Sequence, residues 1–341
     1  MMKKKLIGVG GVGKGIFFES LSNETLGRNE SRLMRRLACR DYCKLHIVFH
    51  YAARLLEGRC SVLPVALVGR DGEGGELSEL MRSAGMDLRY MKVDETLPTM
   101  LSICFQYPDK SGGNITSSNS ACSRLTAETV AAACRDCGLG KGDYAAALPE
   151  APVEARLSLL REAHGAGAFC TMSFAPDEAV LFRSHDIMRC CDLLALNQEE
   201  ARRFAELPSE IGTLKDAQQA AEKILARYPH LHLWLTVGSK GSISADGDGV
   251  REYLPLPVTV RNTGGAGDAT LGGILAGLMM GMPFQRTKEA PSWGAVPIGS
   301  AAELGAILGG LSVECEDSID QRLSMEFVKD YIAKNGWTRS F

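Results

Sequence analysis

The segment Asn262-Thr-Gly-Gly-Ala-Gly-Asp268 strips the backbone of side chains just where a helix is predicted to begin. Consecutive Gly, Ala and Gly leave N–H groups uncovered. With the positive end of the helix dipole, those groups form a site for transferred phosphate oxygens. Asp268 falls on the first helical turn, where a carboxylate either complements the dipole or accepts a proton. Downstream, Leu271–Leu278 carries Gly272, Gly273 and Gly277, a helix suited to close packing that sets the anion site against a sheet.

Around this segment the chain has 341 residues, 45% hydrophobic and 23% charged, enough to bury a large core without disulfides or metals. A net charge of −3 provides no general basic field for nucleic acid or anionic lipid, so the expected partner is a small molecule, with no nucleic acid and no membrane. The apolar run after the first lysines, Leu6–Val9, is too short for a signal peptide, and no apolar stretch of about 20 residues follows. The chain therefore reads as cytoplasmic. Its 11 cysteines are scattered and odd in number, and the CxxC at Cys134–Cys137 lacks a second pair, so reduced structural thiols are expected.

Short β-branched runs alternate with amphipathic stretches, the pattern of a mostly parallel sheet covered by helices on both faces. Strands are predicted at Lys5–Val9, Ser61–Val68, Tyr144–Leu148, Phe169–Ser173, Leu193–Leu196 and His232–Val237. Helices are predicted at Leu45–Leu56, Glu76–Ala84, Ala127–Cys137, Val153–Gly165, Glu199–Leu207, Leu214–Tyr228, Asp268–Gly281, Ala301–Val313 and Met325–Lys334. Residues 19–42 read as a polar insertion. Thr99–Tyr107 and Asn114–Ser118 read as a hairpin, a candidate lid.

The N-terminal Gly8-Val-Gly-Gly-Val-Gly-Lys-Gly15 invites two nucleotide readings. A phosphate loop needs Ser or Thr after Lys14, and Gly15 stands there. A dinucleotide turn, as in a dehydrogenase, needs an acidic residue about 20 positions on at a strand end, and helix-like or loop-like Arg28–Arg36 stands there. Glycines that let the chain turn beside a ligand are the better reading. His46 and His50 have the spacing of helical metal ligands, but the intervening Ile-Val-Phe is core-like and favours buried structural histidines.

The stretch Asn262 to Gly273 is similar to the C-terminal signature of the ribokinase-like (PfkB-type) carbohydrate kinases. Val68-Gly-Arg-Asp-Gly-Glu-Gly74 resembles that family's early turn, Asn197-Gln-Glu-Glu200 its Asn-x-x-Glu motif, and Thr236-Val-Gly-Ser-Lys-Gly241 its nucleotide turn. The likeness spans about residues 45 to 335. It implies a ribokinase-like three-layer α/β/α sandwich, one domain over 1–341, with a small β lid from about 10–45 and 97–120. The implied activity is an ATP-dependent kinase acting on a hydroxyl of a sugar or nucleoside-like molecule.

Carried over, Asp268 is the general base, and the amides of Gly265, Ala266 and Gly267 form the anion hole. Asn197 and Glu200 organise Mg2+ and its waters; Thr236, Gly238, Gly241 and Gly264 line the ATP site, with adenine between Gly238–Gly241 and Ala301–Gly310. Lys240 either touches phosphate or is solvated. Asn197 before Gln-Glu-Glu is also a helix N-cap, and both roles can coexist.

The resemblance thins in the N-terminal half. The family usually has an Asp soon after its first strand and a Gly-Gly pair leading to an Asn; here stand Gly15–Glu19 and Lys44–His50. The acceptor pocket is rewritten, with Glu19, Asn23 and Asn114 among the candidates for hydroxyl binding. Asn262 replaces an Asp linked to a monovalent cation, which argues against potassium activation. The resemblance also implies a homodimer through the lid. The rival function is a catalytically silent protein that binds nucleotide or sugar as a regulator.

Overall fold

The computed structural model describes residues 3–109, 112–184, 186–286 and 298–335. In chain order the elements are β1 (Lys5–Val9), β2 (Gly13–Ser20), β3 (Met34–Tyr42), α1 (Lys44–Leu56), β4 (Ser61–Gly69), α2 (Gly72–Ser83), β5 (Met91–Asp94), β6 (Met100–Gln106) and β7 (Gly112–Thr116). There follow α3 (Ala127–Asp136), β8 (Tyr144–Ala147), α4 (Val153–Gly165), β9 (Phe169–Met172), α5 (Ala179–Ser184), β10 (Leu193–Asn197), α6 (Gln198–Phe204) and α7 (Leu214–Arg227). The chain closes with β11 (His232–Thr236), β12 (Ser242–Asp246), β13 (Gly249–Tyr253), α8 (Ala266–Met279), α9 (Ala301–Ser312) and α10 (Met325–Asn335).

Among the described residues, nine strands make the large sheet in the order β13-β12-β11-β10-β9-β8-β1-β4-β5. It is parallel from β5 to β11, and β12 and β13 are antiparallel. The inner strands are almost wholly buried, which is why they read as unbroken apolar runs rather than alternating ones. One core gathers Phe49, Leu275 and Leu308 from α1, α8 and α9 on one face. A second gathers Val130, Leu160 and Ile224 from α3, α4 and α7 on the other.

The small residues of α8 do what their spacing suggests. A methyl group added at Gly273 would lie 2.9 Å from the Gly305 Cα on α9, so these two helix backbones run nearly in contact. No described helix is long and apolar enough to cross a membrane.

A separate four-stranded sheet, in the order β3-β2-β6-β7, forms the lid. Residues 19–42 are therefore not a plain insertion, because lid strand β3 and the last two residues of β2 fall within them. Exposed arginines at 35, 36 and 40 and the pairing shift between Ile16 and Phe18 blur the alternation that would have marked these strands. The edge strand β5 also carried no readable pattern in its four residues. The N-terminal glycines lead from β1 into β2 of the lid, not into a helix, so neither nucleotide-loop geometry arises there. Strand β3 is tied down at its end: the Arg40 N–H donates to Asp317 Oδ1 at 2.7 Å, and the Tyr42 N–H donates to Ser318 Oγ at 3.2 Å.

Candidate functional site

The C-terminal ends of the parallel strands open onto one cleft, as they do in open α/β sheets generally. A cavity of about 770 Å³ lies there, lined by residues including Lys44, Ser173, Asn197, Glu200, Thr236, Gly238, Gly241, Ala266, Gly267 and Asp268. Five segments distant in sequence thus meet at one site.

The loop before α8 is held by its own side chain. Asn262 Oδ1 accepts from the Gly264 N–H at 2.8 Å, while Asn262 Nδ2 donates to the Glu316 carbonyl at 2.7 Å. Gly265 sits at φ 78, and a Cβ there would lie 2.7 Å from the Ser318 carbonyl oxygen, so only glycine closes the turn without strain. The amides of Gly265 and Gly267 have no protein acceptor among the described residues, whereas the Ala266 N–H donates to the Thr263 carbonyl at 3.3 Å. Two of the three expected anion-hole amides are thus open, and the third is already used by the turn.

Asp268 stands on the first turn of α8 with its side chain 18% exposed, facing the Lys44 ammonium at 3.6 Å. Burial pushes its carboxyl up to about 7; Lys44 opposes the rise, and Glu150, Glu200 and Asp41 add to it. Burial works against the Lys44 charge, but Asp268, Glu200 and Glu150 outweigh it and hold the ammonium protonated. Burial likewise raises Glu150, Glu200 and Asp41. Three carboxyls, Asp268, Glu150 and Glu200, therefore share the field of one ammonium.

Asn197 and Glu200 form the capping box expected from their spacing. Asn197 Oδ1 accepts from the Glu199 and Glu200 amides at 3.0 and 2.9 Å, and Glu200 returns both oxygens to the Asn197 N–H and Nδ2 at 2.8 Å each. Thr236 is the register partner of Asn197 on the neighbouring strand, which places the nucleotide turn beside this box. Within that turn Gly241 is at φ 110, where a Cβ would lie 2.2 Å from the Tyr253 carbonyl oxygen. Lys240 is exposed, and neither it nor Gly264 lines the cavity.

The three acceptor candidates lie on the lid. Glu19 on β2 pairs with Arg35 of β3, Asn23 Oδ1 accepts from the Asp109 N–H at 3.0 Å, and Asn114 is exposed on β7. None of them lines the cavity. Asn114 does stand opposite Cys104 in the ladder, on the same lid face, and the Cys104 thiol donates to Asp41 Oδ2 at 3.3 Å.

The sequence reading missed Asp41 and Glu150. Gly11 and Gly15 leave room that other chain segments fill: a Cβ at Gly11 would lie 2.5 Å from that of Glu150, and one at Gly15 2.6 Å from that of Asp41. The Lys44 N–H donates to Glu150 Oε2 at 3.1 Å, which fixes this carboxylate where its charge acts on Asp268. A carboxylate just past the end of strand β8 was a readable signal for Glu150; no comparable signal marks Asp41. Ser173, just past β9, was also missed; it is 2% exposed, lines the cavity and has no hydrogen-bond partner for its hydroxyl.

His46 and His50 lie inside the core, 1% and 5% exposed, with no hydrogen-bond partner for any of their ring nitrogens. Burial lowers them to about 3 and about 4; His50 opposes charge on His46, and Arg54 opposes charge on His50 while Asp320 favours it. Among the described residues no group of three His, Cys, Asp or Glu side chains is placed to hold a metal ion.

The family model for pfkB family carbohydrate kinases matches residues 48–296. The chain belongs to that family. Its homologues are carbohydrate kinases, so a phosphotransferase acting on a sugar is the broad activity that membership supports. Among solved structures, ribokinase from Giardia lamblia is similar at 18% identity with a TM-score of 0.77, covering 98% of this chain and 99% of that one. Ribokinase from Cryptococcus neoformans in complex with ADP is 17% identical with a TM-score of 0.72, covering 97% and 100%. Ribokinase from Arabidopsis thaliana complexed with ribose and ATP is 17% identical with a TM-score of 0.70, covering 96% and 99%. At these identities the likeness establishes the ribokinase fold, including the small lid sheet. No curated protein sequence matches the chain.

Proposed function

We propose that residues 1–341 act as one ATP-dependent kinase domain, with its lid from about 10–45 and 97–120, that phosphorylates a hydroxyl of a sugar or nucleoside-like molecule. The observation that carries this reading is the placement of Asp268, pushed up to about 7, on the helix turn whose Gly265 and Gly267 amides are open. A base of that strength is matched to proton transfer near neutral pH.

The acceptor hydroxyl oxygen bonds to the γ-phosphorus as the bond from that phosphorus to the bridging β-oxygen breaks. Its proton passes to Asp268, and ADP departs with the bridging oxygen. Charge on the transferred phosphoryl group meets the open amides and the Lys44 ammonium, so catalysis is positioning and charge stabilisation. Asp41 and Glu150 supply the acceptor side with hydrogen-bond acceptors for hydroxyls, and Asn114, Glu19 and Asn23 would approach only as the lid closes.

A magnesium ion fits this donor set. It binds phosphates and keeps most of its waters, so one or two carboxyl or amide oxygens suffice. Each Glu200 oxygen retains a free lone-pair direction beyond its bond to Asn197, and the Ser173 hydroxyl is uncommitted. Asn197 and Glu200 would hold the ion through water, and bound there it would neutralise phosphate charge. No cationic cofactor is needed at Asn262, whose Nδ2 already donates to the Glu316 carbonyl; this supports activity without potassium.

The lid's outer face bears Ile103 and Ile115, cross-strand partners that are 42% and 63% exposed. This supports a homodimer through the lid, which light scattering would detect and Ile115→Lys would dissolve. Phosphoryl transfer itself is tested by incubating the protein with MgATP and a panel of sugars and nucleosides and following phosphorylated acceptor and ADP together. Stoichiometric appearance of both supports the enzyme; nucleotide binding without turnover of any acceptor would favour a silent regulator.

A further inference from the structure

We infer that the donor site holds a purine base by packing alone and does not distinguish adenine from guanine. The inference rests on the nucleotide reading of the cleft. One wall of the cavity is made by Leu254, Leu256 and Val260, and another by Ala306, Gly310 and Val313 of α9 and its end. None of these six side chains carries a hydrogen-bonding atom. Leu254 and Val260 are 52% and 59% exposed, large apolar surfaces at the cleft that a flat base would cover.

The polar tips of two aromatic side chains that also line the cavity are engaged elsewhere. The Tyr253 hydroxyl is hydrogen-bonded to Ser244 Oγ at 3.0 Å, and Trp234 Nε1 donates to Thr270 Oγ1 at 3.0 Å. Of the charged side chains that line the cavity, Lys44 and Glu200 gather around Asp268, and Glu199 is paired with Arg202 and Arg203. The close fit of Leu256 on α9 also matters: a Cβ at Gly310 would lie 2.7 Å from Leu256 Cδ1, so the two walls are in contact there.

Discrimination between analogues is strong only where a site's buried polar groups lose their partners with the wrong ligand. An apolar slot rejects weakly, by tens-fold to about 10²-fold at most. Adenine and guanine have the same fused-ring area and differ only in edge groups that these walls do not touch.

Isothermal titration with MgADP and MgGDP tests this without knowledge of the acceptor. The two dissociation constants are expected within about tenfold of each other. Leu256→Ala is expected to weaken both by a similar factor, about tenfold, because it removes packing shared by both bases. A preference above about 10²-fold for either nucleotide, or a Leu256→Ala effect confined to one of them, overturns the inference and leaves the kinase reading intact. Binding of neither nucleotide would instead remove the nucleotide reading on which the inference stands.

Discussion

Lys44 and Asp268, 224 positions apart in the chain, face each other across the cleft with Nζ 3.6 Å from Oδ1. The lysine begins α1 as the chain leaves the lid, and the aspartate begins α8 after the glycine loop. The pair therefore joins the lid's root to the proposed phosphoryl-transfer centre, and the ammonium favours the ionised form of Asp268 against its burial.

That coupling predicts two opposite shifts. The base must be ionised to act, so kcat/KM should fall as pH drops below about 7. Lys44 favours the ionised form; in Lys44→Gln the acid limb should move to higher pH, with the plateau reduced on the order of 10²-fold. Glu150 disfavours it, so Glu150→Gln should move the limb to lower pH. A pH–rate profile of the three proteins checks both signs. Variants that lost rate with the limb unmoved would mean that neither charge acts on Asp268.

The two roles of Asn197 can be separated. Asn197→Ala loses the cap and should destabilise the fold by about 1 kcal/mol in denaturant titration. Asn197→Ser keeps a capping oxygen but not the Nδ2 bond that orients Glu200. It should retain stability while requiring more magnesium for half-maximal rate. An unchanged magnesium requirement would leave Asn197 as a cap alone.

The buried histidines predict an acid-sensitive fold. Their folded pKa values, about 3 and about 4, lie below the ordinary value of 6.5. The unfolded chain thus binds protons that the folded one refuses. Their contribution to stability is fully present above pH 6.5 and is lost as pH falls toward 4, by on the order of a few kcal/mol. Replacing both with Leu should flatten this acid leg in unfolding titrations. An unchanged leg would assign it to other groups.

What the sequence made legible and what it hid follow from the range of the signals. The Gly-Ala-Gly-Asp loop, the Asn197–Glu200 box and the Gly238–Gly241 turn are local patterns in which backbone demands dictate residue type, and all three border the cleft. The parallel strands announced themselves as buried apolar runs. Lid strands β2 and β3 did not, because their pairing partners, and not their own alternation, decide them. Asp41 reaches the proposed acceptor side through that same ladder. Glu150 arrives from a strand end that pairs with β1, where the adjoining Gly11 leaves its space. Only Glu150 carried a local signal, its place just past the end of β8; Asp41 could not be read from residues near it in the chain.

The central claim is that Asp268 takes the acceptor's proton, and the most direct measurement compares wild type with Asp268→Asn, using an acceptor that the wild type phosphorylates, at pH 8, where the base is ionised. Nucleotide affinity is expected to be kept while kcat falls by about 10²–10⁴-fold. An Asp268→Asn protein that transfers phosphate at the wild-type rate would contradict it.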